Sequence, residues 1–269
     1  MRLRGDAGKN LVVASWERDS IAGSSSQPNS VVWIHGWLAT HRIFDAAVDE
    51  TRRRTDRATH LAVDLPGAGS TLRDAPKTLE GLVDAVLAEV AASGNAPTVL
   101  VGHSLGGLVA AHLARRLTEP PRALVLLAPV PPTGLSLPTE VRARFTRICE
   151  EREGLRAFLA PQVGREDVLD LLLAVADDVP VTTALRQLAI FASTHAPVTA
   201  PPETRRLAVV AGARDPYLSK AFLRASFERF AEDVTFETWD DVGHYVPAEA
   251  PGRVADFVSA VLAGQGGTA

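Results

Sequence analysis

Val99-Leu-Val-Gly-His-Ser-Leu-Gly-Gly107 is an apolar run that stops at a glycine, a histidine and a serine, then resumes through glycines into more apolar sequence. It predicts a buried strand turning directly into a helix. Within it, Gly102-His-Ser-Leu-Gly106 fits G-x-S-x-G, and the strand before and helix after give that match its meaning. So tight a turn forces the serine into a strained backbone conformation. Side chains two residues to either side would collide with neighbouring chain, so glycine is required at both. The bend lifts the hydroxyl of Ser104 above the sheet, and the helix behind it offers free N–H groups to a developing oxyanion. The bland alternative is a tightly packed turn with Ser104 as a helix cap.

Outward from this turn, short β-branched runs alternate with helical patterns. Val31–Ile34, Leu61–Val63, Thr98–Val101, Ala123–Leu127 and Leu207–Val210 are apolar without polar alternation, and Val234–Trp239 adds a further strand. Continuous apolar strands are what a parallel sheet covered on both faces demands. Helices are expected over Ile43–Arg54, Leu79–Ala92, Leu105–Leu117, Phe222–Phe230 and Arg253–Leu262. The second carries Leu79, Leu82, Val83, Val86, Leu87 and Val90 on one stripe. Arg2–Arg4 and Leu11–Trp16 flank a turn-like segment and predict an antiparallel hairpin at one edge. The expectation is an α/β fold with about eight strands, mostly parallel, and helices on both faces.

The alternation breaks once. From residue 131 to 202 no strand is legible, and helical patterns cover Thr139–Leu159, Glu166–Ala176 and Thr182–Ser193, bracketed by prolines. This predicts a core of residues 1–130 and 203–269, with 131–202 as a helical cap over the carboxyl edge of the sheet, where open α/β sheets bind ligands. A helical layer without a binding role is the alternative.

A serine hydroxyl needs a base to take its proton. Of seven histidines, His103 adjoins the serine but points the wrong way on so sharp a turn. His41, His60 and His112 suit solvated or packing roles, and His195 is a weak alternative. His244 stands in Val242-Gly-His-Tyr-Val-Pro247, between the last strand and the last helix, again at the carboxyl edge. The imidazole needs an acceptor to fix its tautomer. Asp215, in Gly212-Ala-Arg-Asp-Pro216 after the strand Leu207–Val210, projects from another such loop. Asp240 and Asp241 compete, but their short tether to His244 makes the geometry awkward. The oxyanion needs a second donor beside the Leu105 N–H, and His35-Gly36-Trp37 follows the first core strand, which assigns it to the Trp37 N–H. His35 is expected to orient that loop.

Composition narrows the partners. Hydrophobic residues are 46% and charged residues 22%, an ordinary globular balance, and the net charge of −4 with no basic stripe speaks against nucleic acid. One cysteine, Cys149, rules out a disulfide within the chain and a thiolate metal cluster. No apolar run approaches the ~18 residues a membrane span needs. The N-terminus lacks the apolar region of a signal peptide, so a cytoplasmic location is expected.

Four segments in order carry a resemblance: His35-Gly36-Trp37, Asp64-Leu-Pro-Gly-Ala-Gly-Ser70, Gly102–Gly106, and Asp215 with Gly243-His244. Together they resemble the α/β-hydrolase superfamily in its capped, HG-motif branch, across nearly the whole chain outside the cap. Ala68 stands where the family commonly has histidine. The order Ser104, Asp215, His244 is that of the α/β-hydrolase arrangement. The resemblance implies a serine hydrolase acting on a carboxylic ester, lactone or thioester of a small, largely apolar substrate, without metal or organic cofactor, as a monomer or homodimer. Serine at the nucleophile position speaks against epoxide opening and halide displacement. Carbon–carbon bond hydrolysis, perhydrolysis and cofactor-free lyase or oxygenase chemistry remain alternatives, and a ligand-sensing module a lesser one. Gly36, Trp37, Phe145, Phe158 and Phe191 are candidate pocket residues, with Ile148, Leu159 and Leu188 as further apolar candidates; contacts holding the cap to the sheet are an equally simple role. Arg142, Arg144 and Arg147 suggest a solvated helix face more than an acidic-substrate site.

Overall fold

A computed structural model describes residues 29–55, 58–71, 74–231 and 233–263. Six strands form one sheet: β1 (Ser30–Ile34), β2 (Thr59–Val63), β3 (Val99–His103), β4 (Ala123–Leu127), β5 (Arg206–Gly212) and β6 (Thr235–Trp239). Ten α-helices accompany them among the described residues: α1 (Asp45–Arg54), α2 (Leu79–Ala92), α3 (Leu105–Ala114), α4 (Thr139–Glu151), α5 (Leu155–Leu159), α6 (Glu166–Asp177), α7 (Val181–Phe191), α8 (Lys220–Phe227), α9 (Val246–Glu249) and α10 (Pro251–Leu262). Single 3-10 turns span His41–Phe44 and Ala160–Gln162.

The sheet order is β2-β1-β3-β4-β5-β6, every pair parallel. β1, β3 and β4 are buried at every residue, as their unbroken apolar runs require. The edge strands β2 and β6 are largely half-buried, and their sequences carry Thr, His and Glu accordingly. All six strands expected in this region are present. The expected N-terminal hairpin, and with it the antiparallel edge and the count of eight, lies outside the described residues.

Right-handed crossovers place the helices. The step from β1 to β2 runs opposite in direction to those from β2 to β3 and from β3 to β4. That puts α1 on one face, packed on α10, and α2 with α3 on the other. α2 follows the expected stripe, with Leu79, Leu82, Val83, Val86 and Val90 buried and Leu87 half-buried. Thr78 caps it, its Oγ1 accepting from the Gly81 N–H at 3.1 Å.

Between β4 and β5 the chain makes only helices, α4 to α7 and one 3-10 turn. The stretch expected as one helix over 139–159 is two, because Arg152 adopts a left-handed φ of 55° and ends α4. The insertion is tied down at several points. The Thr183 hydroxyl donates to Gly67 O at 3.1 Å, Asp178 O accepts from the Gly69 N–H at 3.0 Å, and the Arg186 guanidinium donates to Ala75 O at 2.6 Å. The side chains of Arg142, Arg144 and Arg147 lie on an exposed face of α4. The Arg142 guanidinium turns back to Ala192 O, and that of Arg144 sits 5.9 Å over the Phe158 ring.

Candidate active site

Strand order brings the loops together. The carboxyl ends of β1 and β3 adjoin where the sheet's order reverses, and those of β5 and β6 adjoin each other. Ser104 leaves β3 with φ 52° and ψ −118°, a strained conformation for a residue with a side chain. The flanking glycines are a steric necessity. A Cβ on Gly102 would lie 2.5 Å from Gly106 O, and one on Gly106 2.0 Å from Ile34 O. The turn is therefore wedged against β1 with no room for a methyl group.

His244 lies beyond the end of β6, and its Nε2 is 3.2 Å from Ser104 Oγ. Its Nδ1 is 2.7 Å from Asp215 Oδ2. The other oxygen of Asp215 is held by its own loop, accepting from the N–H groups of Tyr217 at 2.8 Å and Leu218 at 3.0 Å. Burial works to raise the Asp215 pKa, but the His244 ring and these donors outweigh it and hold the carboxylate below its usual range. Each of the three residues is about 8% exposed. The competitor Asp241 is exposed and paired with Arg253 at 2.8 Å, and Asp240 is exposed.

The loop after β1 presses on the serine. A Cβ on Gly36 would lie 2.9 Å from Ser104 Cβ and 3.2 Å from His103 O, so only glycine lets the Trp37 backbone approach. Leu105 is the first residue of α3, so its N–H has no carbonyl one turn earlier in the helix. His35 pins the loop from below. Its Nδ1–H donates to Gly36 O at 2.8 Å, and its Nε2 accepts from the Leu65 N–H at 2.8 Å. That pattern needs a neutral ring, and burial lowers the His35 pKa to about 4. Asp64 holds the neighbouring turn, accepting from the His41 N–H at 2.8 Å and the Ser70 N–H at 3.0 Å.

The remaining histidines have other partners, and His41 donates from Nδ1 to Asp64 Oδ1 at 2.9 Å. His103 turns away from the serine and donates from Nε2 to His244 O at 3.0 Å. His60 stacks on Trp33, and its Nδ1 accepts from the indole N–H at 3.2 Å. His112 and His195 donate from Nε2 to the carbonyls of Pro132 and Ile190, at 2.8 and 2.7 Å.

Above the loop the insertion supplies a wall of rings. Phe145, Phe158 and Phe191 surround Trp37 with centroids at 5.3, 5.9 and 5.5 Å, and the Trp37 indole N–H donates to Ala184 O at 2.8 Å. The same contacts thus join the insertion to the core and place aromatic carbon beside the loop nearest Ser104. Ile148, Leu159 and Leu188 are buried with them. Sequence reasoning missed Tyr217, whose ring meets Phe145 at 5.7 Å while the residue is 39% exposed, so the cluster runs out to solvent. Its place two residues after Asp215, on the same edge loop, was the available signal. Among the described residues no cluster of three or more His, Cys, Asp or Glu side chains is arranged to hold a metal ion. Cys149 is buried, its thiol pushed up to about 12 by that burial, which leaves it unreactive.

Fold and site define an α/β protein carrying serine, histidine and aspartate in one hydrogen-bonded series at the carboxyl edge of a parallel sheet. The chain belongs to the alpha/beta hydrolase family, whose sequence model matches residues 31–257. It is 30% identical over 253 residues to the lipase LipV of Mycobacterium tuberculosis, covering 88% of this chain and 94% of that protein. It is 37% identical over 135 residues to a pimeloyl-[acyl-carrier protein] methyl ester esterase of Neisseria meningitidis. That match takes in 50% of this chain and 36% of the relative, about a third of the relative's length. An esterase from Exiguobacterium antarcticum superposes with a TM-score of 0.74 over 88% of this chain and 92% of its own, at 13% identity, a likeness of fold. No described helix is long and apolar enough to cross a membrane.

Proposed function

We propose that this protein is a serine hydrolase of carboxylic esters, with Ser104 as nucleophile, His244 as general base and acid, and Asp215 as the group that orients His244. Ser104 Oγ attacks the acyl carbon as His244 Nε2 takes its proton. The oxyanion forms against the N–H groups of Trp37 and Leu105. Collapse expels the alcohol, which receives the proton from His244. Water, deprotonated by the same nitrogen, then releases the acid and restores Ser104. Asp215 keeps the Nδ1 proton in place and stabilises the imidazolium. No step calls for a metal or organic cofactor. The observation that carries this reading is the continuous geometry of 3.2 Å from Ser104 Oγ to His244 Nε2 and 2.7 Å from His244 Nδ1 to Asp215 Oδ2. The lipase and esterase relatives support the same chemistry.

Residues 131–202 serve as a cap on the core formed by 1–130 and 203–269. The substrate is a small molecule whose group nearest the acyl carbon is apolar, a reading supported by the rings of Phe145, Phe158 and Phe191 packed on Trp37, the residue after Gly36. The test is a fluorophosphonate probe together with short p-nitrophenyl esters. Wild type is labelled and turns over the esters. Ser104→Ala is unlabelled and loses roughly 10⁴- to 10⁶-fold in kcat. A wild type that is neither labelled nor active on any acyl length removes the reading.

A further inference from the structure

The loop that carries His244 is held from outside the core. The His244 N–H donates to Gln162 O at 2.8 Å, and Gln162 belongs to the 3-10 turn of the insertion. The two segments touch closely, since a Cβ on Gly243 would lie 2.1 Å from Gln162 O. One carboxylate closes the contact. Glu249, the last residue of α9, accepts from the Gly243 N–H at 3.0 Å through Oε1 and from the Gly164 N–H at 2.9 Å through Oε2. Each oxygen therefore serves a different segment, one beside His244 and one in the insertion. Gln162 continues the link: its side-chain N–H donates to Phe158 O at 2.8 Å, and the Phe158 ring lies against Trp37.

We propose that Glu249 is a positioning residue for His244, fixing the base loop to the insertion so that the imidazole is seated only while the insertion is docked. This rests on the catalytic reading of His244 given above. The carboxylate matches two backbone donors with two acceptor oxygens, so its charge and length both matter. An amide at this site sets its own NH₂ against one backbone N–H and loses one of the two bonds. Displacement of a reacting group by about 1 Å is enough to cost on the order of 100-fold in rate.

The experiment compares wild type, Glu249→Gln and Glu249→Asp in the full chain. Three quantities are read: kcat and KM on a short p-nitrophenyl ester, the rate of fluorophosphonate labelling, and the downfield ¹H resonance of the His244 Nδ1 proton. Glu249→Gln is expected to lower kcat and the labelling rate together by about 10- to 100-fold, with KM within about twofold, and to shift or broaden the resonance. Glu249→Asp, which keeps the charge but reaches only one donor, falls between. A folded Glu249→Gln with wild-type kcat and an unmoved resonance overturns the proposal. If Glu249→Gln does not fold, Glu249→Asp decides alone, and wild-type kcat in it overturns the proposal equally. Labelling of wild type at Ser104 separates this outcome from failure of the catalytic reading, since labelling persists when only the role of Glu249 is wrong.

Discussion

Asp215 separates two tasks at the scale of single residues. One oxygen is fixed by the N–H groups of Tyr217 and Leu218, which leaves the other aimed at His244 without freedom to rotate. Asp215→Asn keeps the shape and can keep the loop contacts, but its amide favours the wrong imidazole tautomer. The expected loss is roughly 10³- to 10⁴-fold in kcat, with folding intact by circular dichroism. A variant within tenfold of wild type would show that His244 does not depend on Asp215. Its place after β5 made Asp215 a candidate in the sequence, and the structure brings Ser104, His244 and Asp215 within hydrogen-bonding distance in series. Glu249 was not legible in the same way. A glutamate five residues after a histidine carries no signal of its own, and its role arises from two backbone donors that only the fold places beside it.

At the scale of elements, the strand-to-helix turn of β3 and α3 is the part least able to yield. Gly106→Ala puts a methyl carbon 2.0 Å from the Ile34 carbonyl oxygen, backbone against backbone, where no rotamer relieves it. Gly94 sets the contrast: its φ is +70° but a Cβ there has open space. Gly94→Ala is expected to cost about 1 kcal/mol from conformation alone. Gly106→Ala is expected to cost about 3 kcal/mol or more, with activity lost as the serine shifts. Urea denaturation of the two variants measures the difference, and equal midpoints would contradict the wedge. The elements were largely legible because unbroken apolar runs and one helical stripe report burial directly. α2 has the expected bounds, while α3 stops at Ala114, short of Leu117. The break after α4 was not legible, because Arg152 gives no warning of a left-handed residue. The ring cluster was legible in composition but not in purpose, since packing and pocket roles demand the same residues.

At the scale of the whole molecule, the fold buries imidazoles in neutral form. His35 and His103 are 0% and 1% exposed, and burial is the largest cause lowering their pKa values to about 4 and about 3. In the unfolded chain both titrate near 6.5. Below that pH the unfolded state binds protons that the folded state refuses, so stability falls as pH falls, from about 6.5 to about 4 for His35 and to about 3 for His103. Glu249 acts in the opposite sense, since burial raises its pKa and protonation relieves that cost as pH drops. Burial also lowers the pKa of His60, to about 4, and that of His112, while it raises that of Asp45, so the histidines outweigh the carboxylates and leave a net loss on acidification. Each histidine contributes a slope of about 1 kcal/mol per pH unit within that window. Unfolding by urea at pH 7, 6 and 5 should show midpoints falling on acidification, and His103→Gln, which keeps a donor for the His244 carbonyl, should flatten the slope by about a quarter to a third. The bond from the Leu65 N–H to His35 Nε2 gives the loss a structural address, because a protonated ring cannot accept it. The Gly36-Trp37 loop should therefore exchange its amide hydrogens faster at pH 5 than at pH 7, after correction for intrinsic rates. A midpoint that stays constant from pH 7 to pH 5 would mean that these rings are charged in the folded protein, and the neutral bonding pattern assigned to His35 would be wrong.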